Sequence, residues 1–378
     1  MNTEPEYQPE TLAVHAGHLA TDSVNPVAGP IVLSSTYVRD ASGQLPEGYM
    51  YSRLGNPNRT ALEECLAVLE RGEACAAFAS GSAATMAIFQ SLAPGDHVLQ
   101  ARQTYYGTLK VAREIMERWN LEVSLVDMTD IAAVRAGFRE NTKLMWIETP
   151  SNPLITLTDI APVAAVAREH QATLVVDNTF ATPLLQQPIL LGADLVMHAT
   201  SKYIAGHSDV VGGAVIARSA TAGLFPAIRK IQTAGGAVPS PFDCWLTLRG
   251  IRTLPVRLRA QCENAARIAQ WLAGNSKVHT VHYPGLSSHP WHDIAVRQMK
   301  HAGAMLSFQV TGGAEAALRI AANTRVFTRA TSLGGVESLI EHRASVEQGT
   351  NTPDDLLRLS VGIEHGDDLV ADLEQAMP

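Results

Sequence analysis

The stretch Leu174-Val175-Val176-Asp177-Asn178-Thr179-Phe180 decides the fold prediction, because an apolar run ends there in an aspartate. A second stretch, Leu195-Val196-Met197-His198-Ala199-Thr200-Ser201-Lys202, repeats the arrangement and ends in a lysine. Short apolar runs of this kind are typical of strands buried in a parallel sheet. Ligands bind such sheets beyond the carboxyl ends of the strands. We therefore expect Asp177 and Lys202 to face one crevice.

Similar apolar runs alternate with helix-like segments through much of the chain. This alternation predicts crossover units, and hence an α/β fold with a mostly parallel sheet covered by helices on both faces. The predicted strands are 74–78, 97–99, 143–147, 173–176, 195–197 and 213–216, and the predicted helices are 62–70, 109–119, 160–170 and 256–272.

The pattern loosens between residues 219 and 254, where glycines and prolines accumulate. We therefore predict three parts: an N-terminal arm over 1–50, a large domain over 51–246 and a smaller C-terminal α+β domain over 247–378.

The composition favours small-molecule chemistry. With 378 residues, of which 46% are hydrophobic, the chain can bury a large core, and its formal net charge of −8 makes nucleic acid and anionic membranes poor partners. The acidic start lacks the features of a signal peptide, and no apolar run has transmembrane length. The four cysteines show no Cys-x-x-Cys spacing, which suits reduced thiols. We expect a cytoplasmic enzyme.

An aspartate and a lysine in one crevice suit pyridoxal 5'-phosphate (PLP). This cofactor needs an amine to form an imine and a carboxylate against its pyridine nitrogen, so that the protonated ring accepts electrons. Burial also favours the neutral form of a lysine, which makes it a base near neutral pH. The alternative is that Asp177 caps a turn and Lys202 is a solvated loop residue.

Three further features offer sites for anions. Ser80-Gly81-Ser82 lies between a predicted strand and a helix, where backbone N–H groups can receive a phosphate. Tyr51 and Arg53 lie in a Gly/Pro-rich segment and offer donors for phosphate, unless Arg53 pairs with a surface carboxylate. Arg358 stands alone in an apolar run, so it must meet either a structural carboxylate or a substrate carboxylate.

Six blocks of sequence, in this order, resemble the Cys/Met-metabolism PLP-dependent (trans-sulfuration) enzymes, a family that includes the cystathionine γ-lyases, β-lyases and γ-synthases, methionine γ-lyase and the O-acylhomoserine sulfhydrylases. The resemblance runs from about Thr11 to the C-terminus. The blocks are Tyr51-Ser-Arg-Leu-Gly-Asn-Pro57, Ser80-Gly81, Glu148-Thr-Pro-Ser-Asn-Pro153, Asp177-Asn-Thr-Phe180, Ser201-Lys202-Tyr203 followed by Gly206-His-Ser-Asp209, and Ser332-Leu-Gly-Gly-Val-Glu-Ser-Leu339.

The resemblance implies a fold of PLP-transferase type I, similar to aspartate aminotransferase, and a homotetramer built from dimers with shared active sites. It implies that Lys202 forms the imine, that Asp177 binds the ring nitrogen and that Tyr105 stacks on the ring, with Tyr105 or Tyr51 assisting proton transfer. The phosphate would be held by Gly81, Ser82 and Ser201 of one subunit and by Tyr51 and Arg53 of its neighbour. The remaining implied contacts are Asn152 with the ring hydroxyl and the substrate, and Arg358, Ser332 and Glu337 with the substrate.

Some positions depart from the family's pattern or separate its members. Ala199 stands where the family commonly has a serine, and Lys110 lies near where cystathionine enzymes often have an arginine. Gly107 replaces a cysteine that methionine γ-lyases tend to carry, whereas Glu337 is shared with several γ-lyases and γ-synthases. Lys110 argues against cystathionine as the substrate, but Gly107 and Glu337 favour elimination of the cystathionine γ-lyase type. We rank γ-replacement, as in γ-synthase or O-acylhomoserine sulfhydrylase, second, ahead of β-lyase and methionine γ-lyase chemistry.

Two hypotheses lie outside this chemistry. The pairs His279-Thr-Val-His282 and His289-Pro-Trp-His292 have zinc-like spacing, but they also match a metal-free loop of the resembled family, so we expect no metal. A catalytically silent scaffold with the same fold is the non-enzyme alternative. The presence of Lys202, Asp177 and Arg358 argues against it.

Overall fold

The computed structural model describes residues 7–18, 26–45, 48–347 and 352–377. Parts of the predicted N-terminal arm, namely residues 1–6, 19–25 and 46–47, lie outside the described residues.

Seven strands form the first sheet, in the order β1-β7-β6-β5-β4-β2-β3. The strands from β6 to β3 are parallel to one another, whereas β7 runs antiparallel to both of its neighbours. This confirms the α/β fold with a mostly parallel sheet. The strands are β1 (Ala74–Phe78), β2 (His97–Ala101), β3 (Glu122–Val126), β4 (Thr142–Glu148), β5 (Thr173–Asp177), β6 (Leu195–His198) and β7 (Gly213–Ala217).

A second sheet, of order β10-β11-β12-β9-β8, lies in the C-terminal part of the chain and is antiparallel except for the short β10–β11 pair. Its strands are β8 (Val278–His282), β9 (Met305–Val310), β10 (Thr328–Arg329), β11 (Leu339–His342) and β12 (Leu356–Ser360).

The helices of the large sheet pack on both of its faces. They are α1 (Pro9–His15), α2 (Pro57–Leu69), α3 (Gly81–Gln90), α4 (Tyr106–Lys110), α5 (Ile131–Ala136), α6 (Ile160–Glu169), α7 (Thr182–Leu185), α8 (Phe225–Gly235) and α9 (Pro241–Ile251). The C-terminal part contributes α10 (Leu254–Ala273), α11 (His292–Gln298), α12 (Gly313–Asn323) and α13 (Gly366–Ala376). The segment after α4 continues as a π-helical turn, Val111–Ile115, and a 3-10 turn, Met116–Trp119.

Strand β5 shows why its sequence is apolar throughout. Leu174 and Val176 belong to the core under α2 and α6, whereas Val175 belongs to the opposite core under α3 and α8. Both faces of the strand are therefore buried, as expected for an inner parallel strand.

None of the helices in the described ranges is long and apolar enough to cross a bilayer.

All six predicted strands are present, but β3 was not predicted. It lies at the sheet edge, and its residues are only partly buried or exposed, so it lacks the apolar run that marks the inner strands. The boundary expected at residues 246 and 247 falls within α9, and the division into three parts stays a prediction.

Candidate active site

One cavity of about 200 Å³ lies at the carboxyl ends of β4, β5 and β6 and is closed on another side by the second sheet. Asp177 and Lys202 both line it, as expected from the two apolar runs. Because α3 begins at the same edge, the cavity also contains the N-terminus of that helix.

Lys202 follows β6 in a tight turn, in which its N–H donates to the carbonyl of Ala199 at 3.2 Å. Its ammonium group donates to the hydroxyl of Ser332 at 2.8 Å, across the gap to the C-terminal part of the chain. Burial, and then the positive charge of Arg358, lowers the pKa of Lys202 to about 8. A substantial fraction of this amine is therefore neutral near physiological pH.

Asp177 ends β5 and is 6% exposed. Thr179 donates to it twice, from its N–H at 3.0 Å and from its hydroxyl at 2.6 Å, and both bonds go to Oδ1. The same hydroxyl accepts the N–H of Ala199 at 3.0 Å, so Thr179 ties the end of β5 to the end of β6. Within the described part of the chain, no hydrogen bond reaches Asp177 Oδ2. This oxygen is available to a cationic donor in the cavity.

Glu148 ends β4 in register with Asp177, so two buried carboxylates lie side by side. Its oxygens accept the hydroxyl of Thr104 at 2.9 Å, the N–H of Tyr105 at 2.6 Å and the N–H of Asn152 at 2.9 Å. Burial and the charge of Asp177 raise the pKa of Glu148. One carboxylate therefore positions both loops that bring Tyr105 and Asn152 to the cavity.

The N-terminus of α3 provides the anion-binding edge of the cavity. Ser80 caps the helix by accepting the N–H of Ala83 at 3.1 Å, and Gly81 and Ser82 line the cavity. A side chain at Gly81 would place its Cβ 2.9 Å from the Cβ of Ala199, so glycine permits this close approach. The predicted Ser201 also lines the cavity, where its hydroxyl exchanges hydrogen bonds with the backbone of Gly212.

Tyr105 precedes α4 and lines the cavity with a half-exposed ring. Gly107 explains where this ring can lie: a Cβ there would be 2.3 Å from Tyr105 Cε1. Lys110 is not among the lining residues, and its ammonium instead lies 4.9 Å from the centre of the Tyr106 ring.

Arg358 lies on β12, the central strand of the second sheet, and its side chain is 3% exposed. It donates to Asn152 Oδ1 at 2.9 Å, to the carbonyl of Ser332 at 3.0 Å and to Glu341 Oε2 at 2.6 Å. Burial, followed by the charge of Arg343, lowers the pKa of Arg358 to about 10, so it is still a cation at neutral pH. The sequence predicted either a structural carboxylate or a substrate carboxylate as the partner of Arg358. Its position suits both, because Arg358 pairs with Glu341 and also borders the cavity.

Three of the predicted residues do not reach the cavity within the chain. Tyr51 and Arg53 lie together, with the Arg53 guanidinium carbon 5.8 Å from the ring centre, and Arg53 donates to the carbonyl of Thr233 at 2.5 Å. Glu337 accepts a hydrogen bond from Ser208. None of these three is among the lining residues.

The histidines with zinc-like spacing make other contacts. His279 pairs with Asp355 at 2.7 Å, and His282 lies 2.9 Å from Gln309 Oε1. Over the described ranges, no group of three or more His, Cys, Asp or Glu side chains is arranged to hold a metal ion.

Residues 10–378 match the family model of the Cys/Met metabolism PLP-dependent enzymes. The chain belongs to this family. It is therefore a PLP-dependent enzyme of sulfur amino-acid metabolism with an α/β fold, which confirms the resemblance and the cofactor prediction.

Individual relatives of the chain are named for different reactions. Cystathionine γ-synthase of Mycobacterium leprae is 46% identical over 97% of this chain and 96% of the relative. Cystathionine γ-lyase of Dictyostelium discoideum is 43% identical, with 99% of both chains covered. The crystal structure of cystathionine γ-synthase from Xanthomonas oryzae pv. oryzae, in complex with aminoacrylate and cysteine, superposes with a TM-score of 0.95 at 42% identity and covers 99% of this chain and 98% of its own.

The cavity of this family member fits PLP on its own geometry. Among the described residues, none donates a hydrogen bond to Oδ2 of Asp177, which suits a protonated ring nitrogen. The N-terminus of α3 suits a phosphate dianion, and Gly81 leaves the space for it. Lys202 lines the same cavity and supplies an amine of lowered pKa.

Sequence reasoning missed several polar or charged residues that line or support the cavity, among them Thr179, Glu148, Glu341 and Arg343. Thr179 and Glu148 lie in two of the blocks that carry the family resemblance, where a polar residue at or just after the end of a strand could have been assigned a role. Glu341 and Arg343 carry no such signal, because only the pairing of β11 with β12 brings them beside Arg358.

Proposed function

We propose that the protein catalyses γ-elimination on a cystathionine-type thioether amino acid. The observation that carries this proposal is the combination, in one cavity, of Lys202 with its lowered pKa, Asp177 with its free oxygen and the buried cation Arg358. Replacement at the same γ carbon, as in a γ-synthase, is the second candidate. The 46% identity to the M. leprae cystathionine γ-synthase supports it.

When bound, PLP supplies an electron sink for negative charge at the carbon that carries the substrate amine. Asp177 would hold a proton on the ring nitrogen through its free Oδ2, and the two bonds from Thr179 fix the carboxylate in place. The phosphate would lie at the N-terminus of α3, against Gly81, Ser82 and Ser201. Tyr105 would cover the ring.

Lys202 would hold the cofactor covalently and, once released by the substrate amine, would act as the base. Arg358 would bind the substrate carboxylate, assisted by Ser332 and Asn152, and so place the α-proton within reach of the lysine. Because Ser332 accepts from Lys202 and its carbonyl accepts from Arg358, one short segment positions both groups. A second proton removal, at the β carbon, is needed before the γ substituent leaves.

The test is a substrate survey with the purified PLP-loaded protein. L-cystathionine, L-methionine, L-homocysteine and O-succinyl-L-homoserine would each be assayed for 2-oxo acid and ammonia, and the acyl substrate also for cystathionine in the presence of cysteine. Release of 2-oxobutanoate from cystathionine supports γ-elimination. Cystathionine formed without 2-oxobutanoate release favours γ-replacement, and pyruvate from cystathionine contradicts both.

We further propose that the site is shared between two copies of the chain, within a dimer or a homotetramer. Tyr51 and Arg53 lie away from the cavity of their own chain, which supports a role in the cavity of a neighbouring chain.

Cytoplasmic location also stays a proposal, supported by four free, buried cysteines.

Mixed oligomers test the sharing. A Lys202→Ala chain and an Arg53→Ala chain are each expected to be inactive, but mixing them should restore one intact site in each mixed dimer. Recovery of about a quarter of wild-type activity is expected if subunits exchange at random. Exchange would be verified by mass spectrometry of differently tagged chains. Verified mixed dimers without activity would contradict site sharing.

A further inference from the structure

Arg358 belongs to a buried cluster of four charged side chains. Glu341 lies directly opposite it on β11, and its Oε2 accepts from both Arg358 Nη2 and Arg343 Nη1, each at 2.6 Å. Arg343 donates in addition to Glu347. All four side chains are between 3% and 7% exposed, so solvent screens their charges weakly.

The formal charges of this cluster cancel, since two arginines face two glutamates. Burial opposes the ionised form of Glu341, but Arg358, the hydroxyl of Thr331 and Arg343 together hold its pKa below the usual value. Glu341 therefore carries a full negative charge beside the guanidinium that is proposed to receive a substrate carboxylate. Without a second cation, that charge would repel the substrate.

Arg343 also lines the cavity itself, together with Arg358 and Thr331. Its Nη1 and Nη2 atoms donate to the two glutamates, and its Nε is buried with no hydrogen-bond partner in the described part of the chain. Arg358 likewise has a buried Nε without a partner there. Each guanidinium therefore keeps an N–H donor, but Arg343 is paired with two carboxylates, whereas Arg358 is paired with one and otherwise donates to the neutral oxygens of Asn152 and Ser332. The positive charge of Arg358 is thus the less neutralised of the two.

We propose that Arg343 is a positioning residue for substrate binding: it neutralises Glu341, so that the neighbouring Arg358 can bind the carboxylate of an amino-acid substrate. This inference rests on the proposed role of Arg358. Removing the charge of Arg343 leaves one cation and two anions around the carboxylate site, a net charge of −1 instead of zero. An added carboxylate would then meet net repulsion at short range.

The experiment measures carboxylate binding separately from turnover. The probe is 4-(methylthio)butanoate, a thioether carboxylate without an amine, titrated calorimetrically into the PLP-loaded protein. The matching amide, 4-(methylthio)butanamide, is the uncharged control ligand. Steady-state kinetics with L-cystathionine provide KM and kcat for the same variants, and circular dichroism and the cofactor absorbance verify folding.

Arg343→Met is expected to weaken binding of the carboxylate probe about 10- to 100-fold, which corresponds to about 1.4–2.8 kcal/mol, because an unneutralised negative charge nearby repels the carboxylate. KM should rise by a similar factor while kcat changes less than about threefold. Affinity for the amide should not change. Arg343→Lys keeps the charge and should bind the probe within about threefold of the wild type.

The double variant Glu341→Gln with Arg343→Met restores a net charge of zero, and the glutamine oxygen still accepts from Arg358. We expect its affinity for the carboxylate to return to within about threefold of the wild type. If Arg343→Met binds the probe normally, or if a folded double variant remains as weak as the single one, the role of Arg343 is wrong.

The variant Arg358→Met separates this inference from the proposed function. It should lose most of the affinity for the carboxylate probe. If it does and Arg343→Met does not, only the role of Arg343 fails. If Arg358→Met binds the probe as well as the wild type, the proposed role of Arg358 fails, and the inference about Arg343 fails with it.

Discussion

The lowered pKa of Lys202 makes a quantitative prediction about how the cofactor-free protein captures PLP. Only the neutral amine attacks the aldehyde of the cofactor. With a pKa of about 8, the neutral fraction is about 10% at pH 7 and about 90% at pH 9. The rate of capture should therefore rise about tenfold between these values and then level off.

An ordinary lysine would behave differently. With the reference pKa near 10.4, the neutral amine would increase about 100-fold between pH 7 and pH 9 and would not level off before about pH 10. The assay is stopped-flow absorbance after mixing the cofactor-free protein with PLP at half-unit steps of pH. The rate with free N-acetyl-lysine, measured in parallel, corrects for the titration of PLP itself.

Two variants refine this test. Arg358→Met removes the positive charge that, after burial, contributes most to the lowered pKa of Lys202. Its plateau should therefore shift to higher pH, by up to about one unit. Ser332→Ala removes the partner 2.8 Å from the amine and should leave the plateau near its original position, because the charges and burial remain. A corrected rate that still rises about tenfold per unit above pH 9 in the wild type would refute the reasoning.

Three other substitutions should give measurable outcomes. Gly107→Ala should displace the Tyr105 ring, because the new Cβ would lie 2.3 Å from it, and PLP binding measured by equilibrium dialysis should weaken about tenfold. The control Gly274→Ala should not change PLP binding, because its Cβ would meet nothing closer than 3.6 Å. Asp177→Asn should raise the thermal unfolding midpoint of the cofactor-free protein at pH 8, but it should reduce the increase in that midpoint that PLP produces. The reason is that burial raises the pKa of Asp177, so that ionisation of the carboxyl group costs stability as the pH rises through this pKa. An unchanged midpoint in the cofactor-free variant would contradict this. Thr179→Val should lower kcat by about tenfold or more, because the carboxylate of Asp177 loses one of its two hydrogen bonds; wild-type kcat in this variant would show that Thr179 has no positioning role.

Much of the site follows from local sequence, because polar residues at the ends of inner strands of a parallel sheet meet at one edge. Asp177 and Lys202 are brought together in this way. The unpredicted Glu148 obeys the same rule, since it ends β4 next to Asp177. Its function as the common acceptor for two loops depends on donors 43 residues earlier and four residues later in the chain, at Tyr105 and Asn152.

Other features could not be read locally because they depend on distant partners. The lone cation in the apolar run of β12 required an anion, but its partner Glu341 follows only from the register between β11 and β12. Asn152, a predicted cofactor ligand, proved to accept a hydrogen bond from Arg358, 206 residues later in the chain. The edge strand β3 was not predicted for a different reason. Its residues are partly buried or exposed, so its sequence lacks the continuous apolar run of the inner strands.

The sequence by itself determined the α/β fold, the cofactor and the pair formed by Asp177 and Lys202. Burial of both faces of a parallel strand requires continuous apolar runs, and these runs fix where the polar ends must lie. Only the tertiary structure decided which charges surround those ends. The pairing of Arg358 and Arg343 with Glu341, the free oxygen of Asp177 and the contact from Lys202 to Ser332 arise where two sheets far apart in the chain close on one cavity. Electrostatic interactions depend on distance and burial in space, which spacing along a sequence does not specify.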